Sequence, residues 1–88
     1  MTQTPQLSVV VPVFNEQDNV GPLLQEIVAA LRGRIDFEAI FVDDDSKDGT
    51  LAALRALKPE TPELRVLHHA RQSGQSTAIR SGVRAAHA

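Results

Sequence analysis

The amino-acid sequence predicts a three-layer α/β fold in which strands and helices alternate βαβαβα around a short parallel sheet. Three observations carry this. The strand-like runs are short, rich in β-branched residues and apolar on both faces, as "LSVVVPVF" (7–14) shows, which is the pattern of a parallel strand covered from both sides. Between them lie stretches whose apolar residues recur three and four apart, the spacing of one stripe on an α-helix. The two kinds of segment alternate strictly, and such alternation demands right-handed crossovers with helices on the sheet faces. The expected architecture is Rossmann-like.

Residues 1–6, "MTQTPQ", read as a disordered tail, and the domain as 7–88. The first strand is a central one, with Pro12 near its end because proline cannot donate to a sheet ladder. In "DNVGPLLQEIVAALRGR" the residues Val20, Leu23, Leu24, Ile27, Val28 and Leu31 form one apolar stripe. Asp18 is placed to cap that helix, Pro22 is tolerable in its first turn, and Gly33 suits its C-terminal end. "EAIFVD" (38–43) is the second strand and "DGTLAALRAL" (48–57) the second helix, with Ser46 as N-cap and Leu51, Leu54 and Leu57 facing inward. Pro59 and Pro62 break the chain into a loop. "ELRVLHH" gives the third strand, and "GQSTAIRSGVRAAHA" a third helix running to Ala88.

Composition narrows the function. A chain of 88 residues with 42% apolar and 23% charged residues is a small globular domain, whose single core leaves a few kcal/mol of net stability. The net charge of −2 and the scattered basic residues argue against nucleic acid as a partner. No cysteine is present, which excludes disulfides and thiolate zinc sites and fits a cytoplasmic location. The N-terminus lacks the charged start and apolar stretch of a signal peptide, and the apolar runs fall far short of the roughly 20 residues that span a bilayer.

In open parallel sheets, ligands bind outside the carboxyl ends of the strands. Three segments converge there: "PVFNE" (12–16), "DDDSKDG" (43–49) and "HHARQSGQS" (68–76). Neither G-x-G-x-x-G after the first strand nor G-x-x-x-x-G-K-[ST] occurs, which weakens a dinucleotide-dependent dehydrogenase or a P-loop enzyme. Carboxylates repel phosphate; their useful partners are N–H and O–H donors or a cation. A nucleobase and a ribose supply such donors.

The pairing of "SVVVPVFNEQDNV" with "FVDDDSKDGT" and "ARQSGQSTAIRSGVRAA" resembles the N-terminal part of family 2 glycosyltransferases with the GT-A fold. Within them it is similar to the polyprenyl-phosphate enzymes of the dolichol-phosphate mannosyltransferase type, over residues 7–88. The resemblance implies a nucleotide-sugar site built from Pro12, Phe14, Asn15, Glu16, Asp43, Asp44, Asp45, Arg71 and Gly74. Glu16 would accept from the ribose or base, and Asp44 would read a base N–H. Asp43 and Asp45 flank it, and strand geometry keeps the three carboxylates from facing one ligand. Phe14 stands where tyrosine is common, Asp45 where glycine is frequent, and Gln72 where relatives often carry Asn. The resemblance further implies a UDP- or GDP-linked sugar donor, a lipid-phosphate acceptor and action at the cytoplasmic face of a membrane. It also implies Mg2+ or Mn2+ at an Asp-x-Asp motif that follows the third helix in the family and is expected to lie outside this chain, so that residues 1–88 alone are expected to transfer little or no sugar.

Plainer roles compete. Ser46 and Asp48 suit turn formation and capping. His68 and His69, adjacent on a strand, point apart and do not suggest a metal site. Arg80 and Arg84 read as a solvated helix face. A non-catalytic nucleotide-binding module has the same motifs, and turnover separates it from an enzyme. A phospho-acceptor receiver domain would need an aspartate at the end of the third strand, where this chain has His-His. An uncovered apolar edge on the first strand predicts self-association.

Overall fold

The computed structural model describes residues 4–88. Three strands, β1 (Leu7–Val13), β2 (Phe37–Asp43) and β3 (Leu64–His68), alternate with helices α1 (Val20–Leu31), α2 (Thr50–Leu57) and α3 (Gln75–Ala85), a single 3-10 turn (Lys58–Glu60) following α2. The sheet is parallel throughout in the order β1-β2-β3. The expected βαβαβα alternation and three-layer arrangement are both present.

The period-two alternation of β2 assigns its side chains to the two faces. Phe37, Ala39 and Phe41 meet Val20 and Leu24 of α1 and Leu54 of α2, whereas Ile40 and Val42 meet Ala78 of α3. Phe41, Ile40 and Leu54 are wholly buried, each contributing about 1.5–3 kcal/mol relative to exposure. Gly82 lets α3 approach β1 closely: a Cβ there would lie 2.3 Å from Val10 Cγ1.

Several expectations are corrected. Among the described residues β2 lies between β1 and β3 with every residue buried, whereas β1, central by its own apolar pattern, pairs on one side only and has the uncovered edge also expected of it. Both runs are apolar, and only the strand order distinguishes them. Of the expected tail, Met1 to Gln3 lie outside the described residues, but Gln6 is tied down by its N–H donating to Asp36 O at 2.8 Å. Asp18 does not cap α1; the N-cap position is Asn19, whose side chain turns back to Glu16. α2 begins at Thr50 with Gly49 at its N-cap, because Asp48 Oδ1 accepts the Thr50 N–H (2.9 Å) and Ser46 is engaged elsewhere. α3 ends at Ala85 rather than Ala88. The chain turns extended at Ala86, and the His87 and Ala88 N–H groups donate to Glu38 Oε2 and Ser8 Oγ (2.5 and 3.3 Å). A buried carboxylate that needs donors thus redirects the end of the chain.

Candidate functional site at the carboxyl edge

Parallel register brings Val13, Asp43 and His68 side by side at one edge of the sheet. The three loops that leave this edge therefore start together. The first two are stitched to each other. The Asn15 N–H donates to Ser46 Oγ (2.9 Å) and the Lys47 N–H to Asn15 Oδ1 (2.7 Å). The Glu16 N–H donates to Thr50 Oγ1 (2.8 Å) and the Gly49 N–H to Gln17 Oε1 (2.6 Å). Asn15 and Asp45 hold positive φ angles of 53° and 61°. Asn, Asp and Gly tolerate that region best, which gives a backbone reason for a glycine or a short polar residue at position 45.

Strand alternation then separates the carboxylates. Asp43 follows Phe41 to the α1/α2 side, where it is fully buried, its Oδ2 bonded to His68 Nδ1 (2.9 Å) and its Oδ1 accepting the Ser46 N–H (3.4 Å). Asp44 goes to the α3 side. Its carboxylate is bonded to His69 Nδ1 (2.9 Å) and accepts the backbone N–H groups of Ser73 (2.8 and 3.0 Å) and Gly74 (2.8 Å). Burial pushes the Asp44 carboxyl up, but the hydrogen bonds from His69, Ser73 and Gly74 outweigh it and hold the group below the ordinary carboxylate range. Asp45 pairs with Lys47 Nζ at 2.8 Å in the loop.

A hollow of about 280 Å3 opens beside Asp44. Pro12, Val13, Phe14 and Glu16 form one wall, Gln72, Gly74, Gln75 and Ala78 the other, with Asp44 between them. The structure thus brings together five of the residues singled out in the sequence: Pro12, Phe14, Glu16, Asp44 and Gly74. Asn15, Asp43, Asp45 and the exposed Arg71 do not line it. Gln75 and Ala78 were not foreseen; they sit one helical turn apart on α3, and only the packing of α3 against the sheet brings them to the loops. His69, Gln17 and Thr50 were missed as well. The "D-G-T" sequence could have signalled Thr50, whose buried hydroxyl caps the neighbouring loop rather than its own helix. A larger groove, of about 390 Å3, lies at the opposite end of the sheet and is lined by Arg32, Glu38, Glu63 and Arg65 among others. Those four charges already neutralise one another in two ion pairs, Arg32 with Glu63 and Arg65 with Glu38. The carboxyl edge is the better candidate because an acceptor remains free there.

The acceptor inventory shows which. An ionised carboxylate offers about four lone-pair directions. Three donors make four contacts on Asp44, two on each oxygen, which takes up those directions. Glu16 uses Oε2 for the Asn19 amide at 2.7 Å, and its Oε1 takes no hydrogen bond among the described residues. Among the described residues no group of three or more His, Cys, Asp or Glu is placed to hold a metal ion.

A parallel sheet covered by helices on both faces, with a polar hollow at its carboxyl edge, is the class of α/β protein that binds ligands at strand ends. The comparisons with known proteins are specific. Residues 8–88 match the model of "Glycosyl transferase family 2". The chain is 40% identical over 83 residues to a dodecaprenyl-phosphate galacturonate synthase of Rhizobium johnstonii, covering 92% of this chain and 25% of that protein. It is 33% identical over 90 residues to a dolichol-phosphate mannosyltransferase of Mycosarcoma maydis, covering 97% of this chain and 31% of that one. Among solved structures it superposes on the mannosyltransferase PcManGT of Pyrobaculum calidifontis, in complex with GDP-Man and Mn2+. That match has a TM-score of 0.83 and 29% identity, over 97% of this chain and 25% of the other. The chain belongs to glycosyl transferase family 2. It spans about a quarter to a third of the length of these relatives, and the expected GT-A arrangement is the one its fold adopts.

Proposed function

We propose that this chain forms the donor-binding part of a transferase that passes a sugar from a UDP- or GDP-linked donor to a polyprenyl-phosphate acceptor. The observation that carries the reading is the hollow lined by Phe14, Glu16 and Asp44, in which Glu16 has an acceptor oxygen that the fold does not use. Glu16 Oε1 accepts a ribose hydroxyl or a base N–H, while Asp44, whose oxygens are engaged by His69, Ser73 and Gly74, holds the loop that forms the far wall. Phe14, 37% exposed at the rim, gives the base an apolar wall, and Gln72 and Gln75 carry amides that both donate and accept. The names of the relatives, which include polyprenyl-phosphate and dolichol-phosphate transferases, support the acceptor class. The cation of the Pyrobaculum complex supports a divalent metal for the whole enzyme. The residues described here do not fit one, and in this reading they hold the nucleoside end of the donor.

No helix among the described residues is long and apolar enough to cross a membrane; work at a cytoplasmic membrane face is part of the proposal. So is self-association through the unpaired edge of β1, which a monodisperse monomer in light scattering would refute.

Isothermal titration calorimetry with UDP, GDP and ADP tests the binding reading. One of the first two binds the 88-residue chain, and Glu16→Ala weakens that binding by roughly tenfold or more, the cost of a hydrogen bond to a charged group. Absence of UDP and GDP binding at millimolar concentration refutes the reading.

A further inference from the structure

Asp44, His69 and Ser81 form one hydrogen-bonded chain that runs from the residue after β2, through the residue after β3, to α3. His69 Nδ1 lies 2.9 Å from Asp44 Oδ1 and its Nε2 2.8 Å from Ser81 Oγ. An ionised carboxylate only accepts, so Nδ1 carries the proton toward Asp44, and in the neutral ring Nε2 is left to accept from the Ser81 hydroxyl. The order Asp–His–Ser is that of a nucleophilic relay. Neither His69 nor Ser81 lines the hollow, however, and both are half-buried, so the chain of bonds has no reacting atom to act on.

What it does reach is Asp44 Oδ1, an oxygen that the Ser73 N–H also uses. The same carboxylate holds the Ser73 and Gly74 N–H groups, and Gly74, at φ 92°, sets the direction in which α3 starts. Gln72, Gly74 and Gln75 form the far wall of the hollow. Two clamps thus meet on one carboxylate, the His69 ring on Oδ1 and the loop backbone on both oxygens. Without the ring, the carboxylate is held only by the loop it grips, and the two can move together.

We propose that His69 is a positioning residue for the nucleotide hollow: anchored by Ser81, it fixes the Asp44 carboxylate and so holds the Ser73–Gly74 backbone in the shape that places Gln72 and Gln75 against the ligand. The proposal rests on the donor-binding reading above. His69 does not touch the ligand; it acts through Asp44 and the loop.

The test uses the 88-residue chain with His69→Ala, His69→Asn and Ser81→Ala, probed by UDP and GDP titration and by amide hydrogen exchange. His69→Ala weakens nucleotide binding by about tenfold and speeds exchange at Ser73 and Gly74 far more than at amides within β2. His69→Asn, whose side-chain amide can occupy the Nδ1 position and donate to Asp44, restores binding to within a few-fold of the native chain. Ser81→Ala gives an intermediate loss. If His69→Ala fails to fold, His69→Asn and Ser81→Ala carry the same comparison. Unchanged exchange at Ser73 and Gly74 in His69→Ala, or in Ser81→Ala where His69→Ala does not fold, overturns the proposal. So does a loss of binding in His69→Asn equal to that in His69→Ala. If the native chain binds neither nucleotide, the donor-binding reading fails, while the exchange arm still decides whether His69 holds the loop.

Discussion

Replacing Glu38 with Gln removes a single charge from the centre of a network that joins all three strands to the end of α3. Glu38 is 5% exposed. It accepts from Ser8 Oγ (2.5 Å), the His87 N–H (2.5 Å) and Arg65 Nη1 (2.6 Å), and that same Arg65 nitrogen also donates to Ala85 O (2.6 Å). Burial pushes the carboxyl up, yet the donors from Ser8, His87 and Arg65 prevail and hold it at about 2 against an ordinary 4.5. That gap of about 2.5 pH units, at about 1.36 kcal/mol each, gives about 3 kcal/mol of stabilisation carried by the ionised form. A domain of this size has a total of roughly 4–13 kcal/mol, so the loss is a large fraction of it. The sign follows from the depressed folded value. The contribution is complete above about pH 4.5 and disappears as pH falls toward 2. Asp44, Asp48 and Glu63 are also held below their ordinary values, so both chains weaken in acid, and the difference between them isolates Glu38. Urea unfolding at a series of pH values measures it. Glu38→Gln is less stable by about 3 kcal/mol at pH 7, and the gap closes between pH 4.5 and 2. Two stability curves that stay parallel over that range would refute the reasoning.

Gly82→Ala sets a gain in helix propensity of about 1 kcal/mol against a Cβ placed 2.3 Å from Val10 Cγ1 and 3.3 Å from Val10 Cβ and Cγ2. Val10 is β-branched and rotation exchanges one methyl for another, so the clash prevails: thermal melting shows a net loss of about 1–3 kcal/mol. Gly74→Ala forces a side chain to φ 92° with open space around it, so the cost is backbone strain of about 1–3 kcal/mol without a packing defect; in calorimetry it also weakens nucleotide binding, because Gly74 shapes the hollow. Leu54→Ala empties a wholly buried position between α2 and the sheet and lowers stability by about 2–5 kcal/mol in denaturant unfolding, with binding by the folded fraction unchanged.

The alternation of elements, the parallel sheet and the convergence of three loops at one edge were legible because they follow from local properties. Hydrophobic period separates strand from helix, and chain connectivity with fixed handedness leaves few ways to assemble the pieces. The pairing of the Pro12–Glu16 segment with the Asp43–Gly49 segment was legible too, and the structure gives its reason in the bonds from Asn15, Glu16 and Gln17 to Ser46, Asp48, Gly49 and Thr50. Helix ends were read less well. Asp18 and Ser46 were assigned by local capping rules and the third helix was read through to Ala88; Asn19 takes the first cap, Ser46 is engaged by the distant Asn15, and residues after Ala85 bond to the distant Glu38 and Ser8. β1 and β2 are both largely apolar runs, and their own patterns do not tell which has one neighbour and which two.

Side-chain direction decided the site. Alternation along β2 predicted that Asp43 and Asp44 part company, but what each would meet depended on residues some 25 to 30 positions away: His68 on one face, His69, Ser73 and Gly74 on the other. The amino-acid sequence by itself determined that acidic groups gather where the strands end. Only the tertiary structure decided that one of them is spent inside the core, another grips a loop, and Glu16 keeps an oxygen free, because a hydrogen bond across the fold requires two groups to be brought within 3 Å of each other, and no local pattern along the chain encodes that distance.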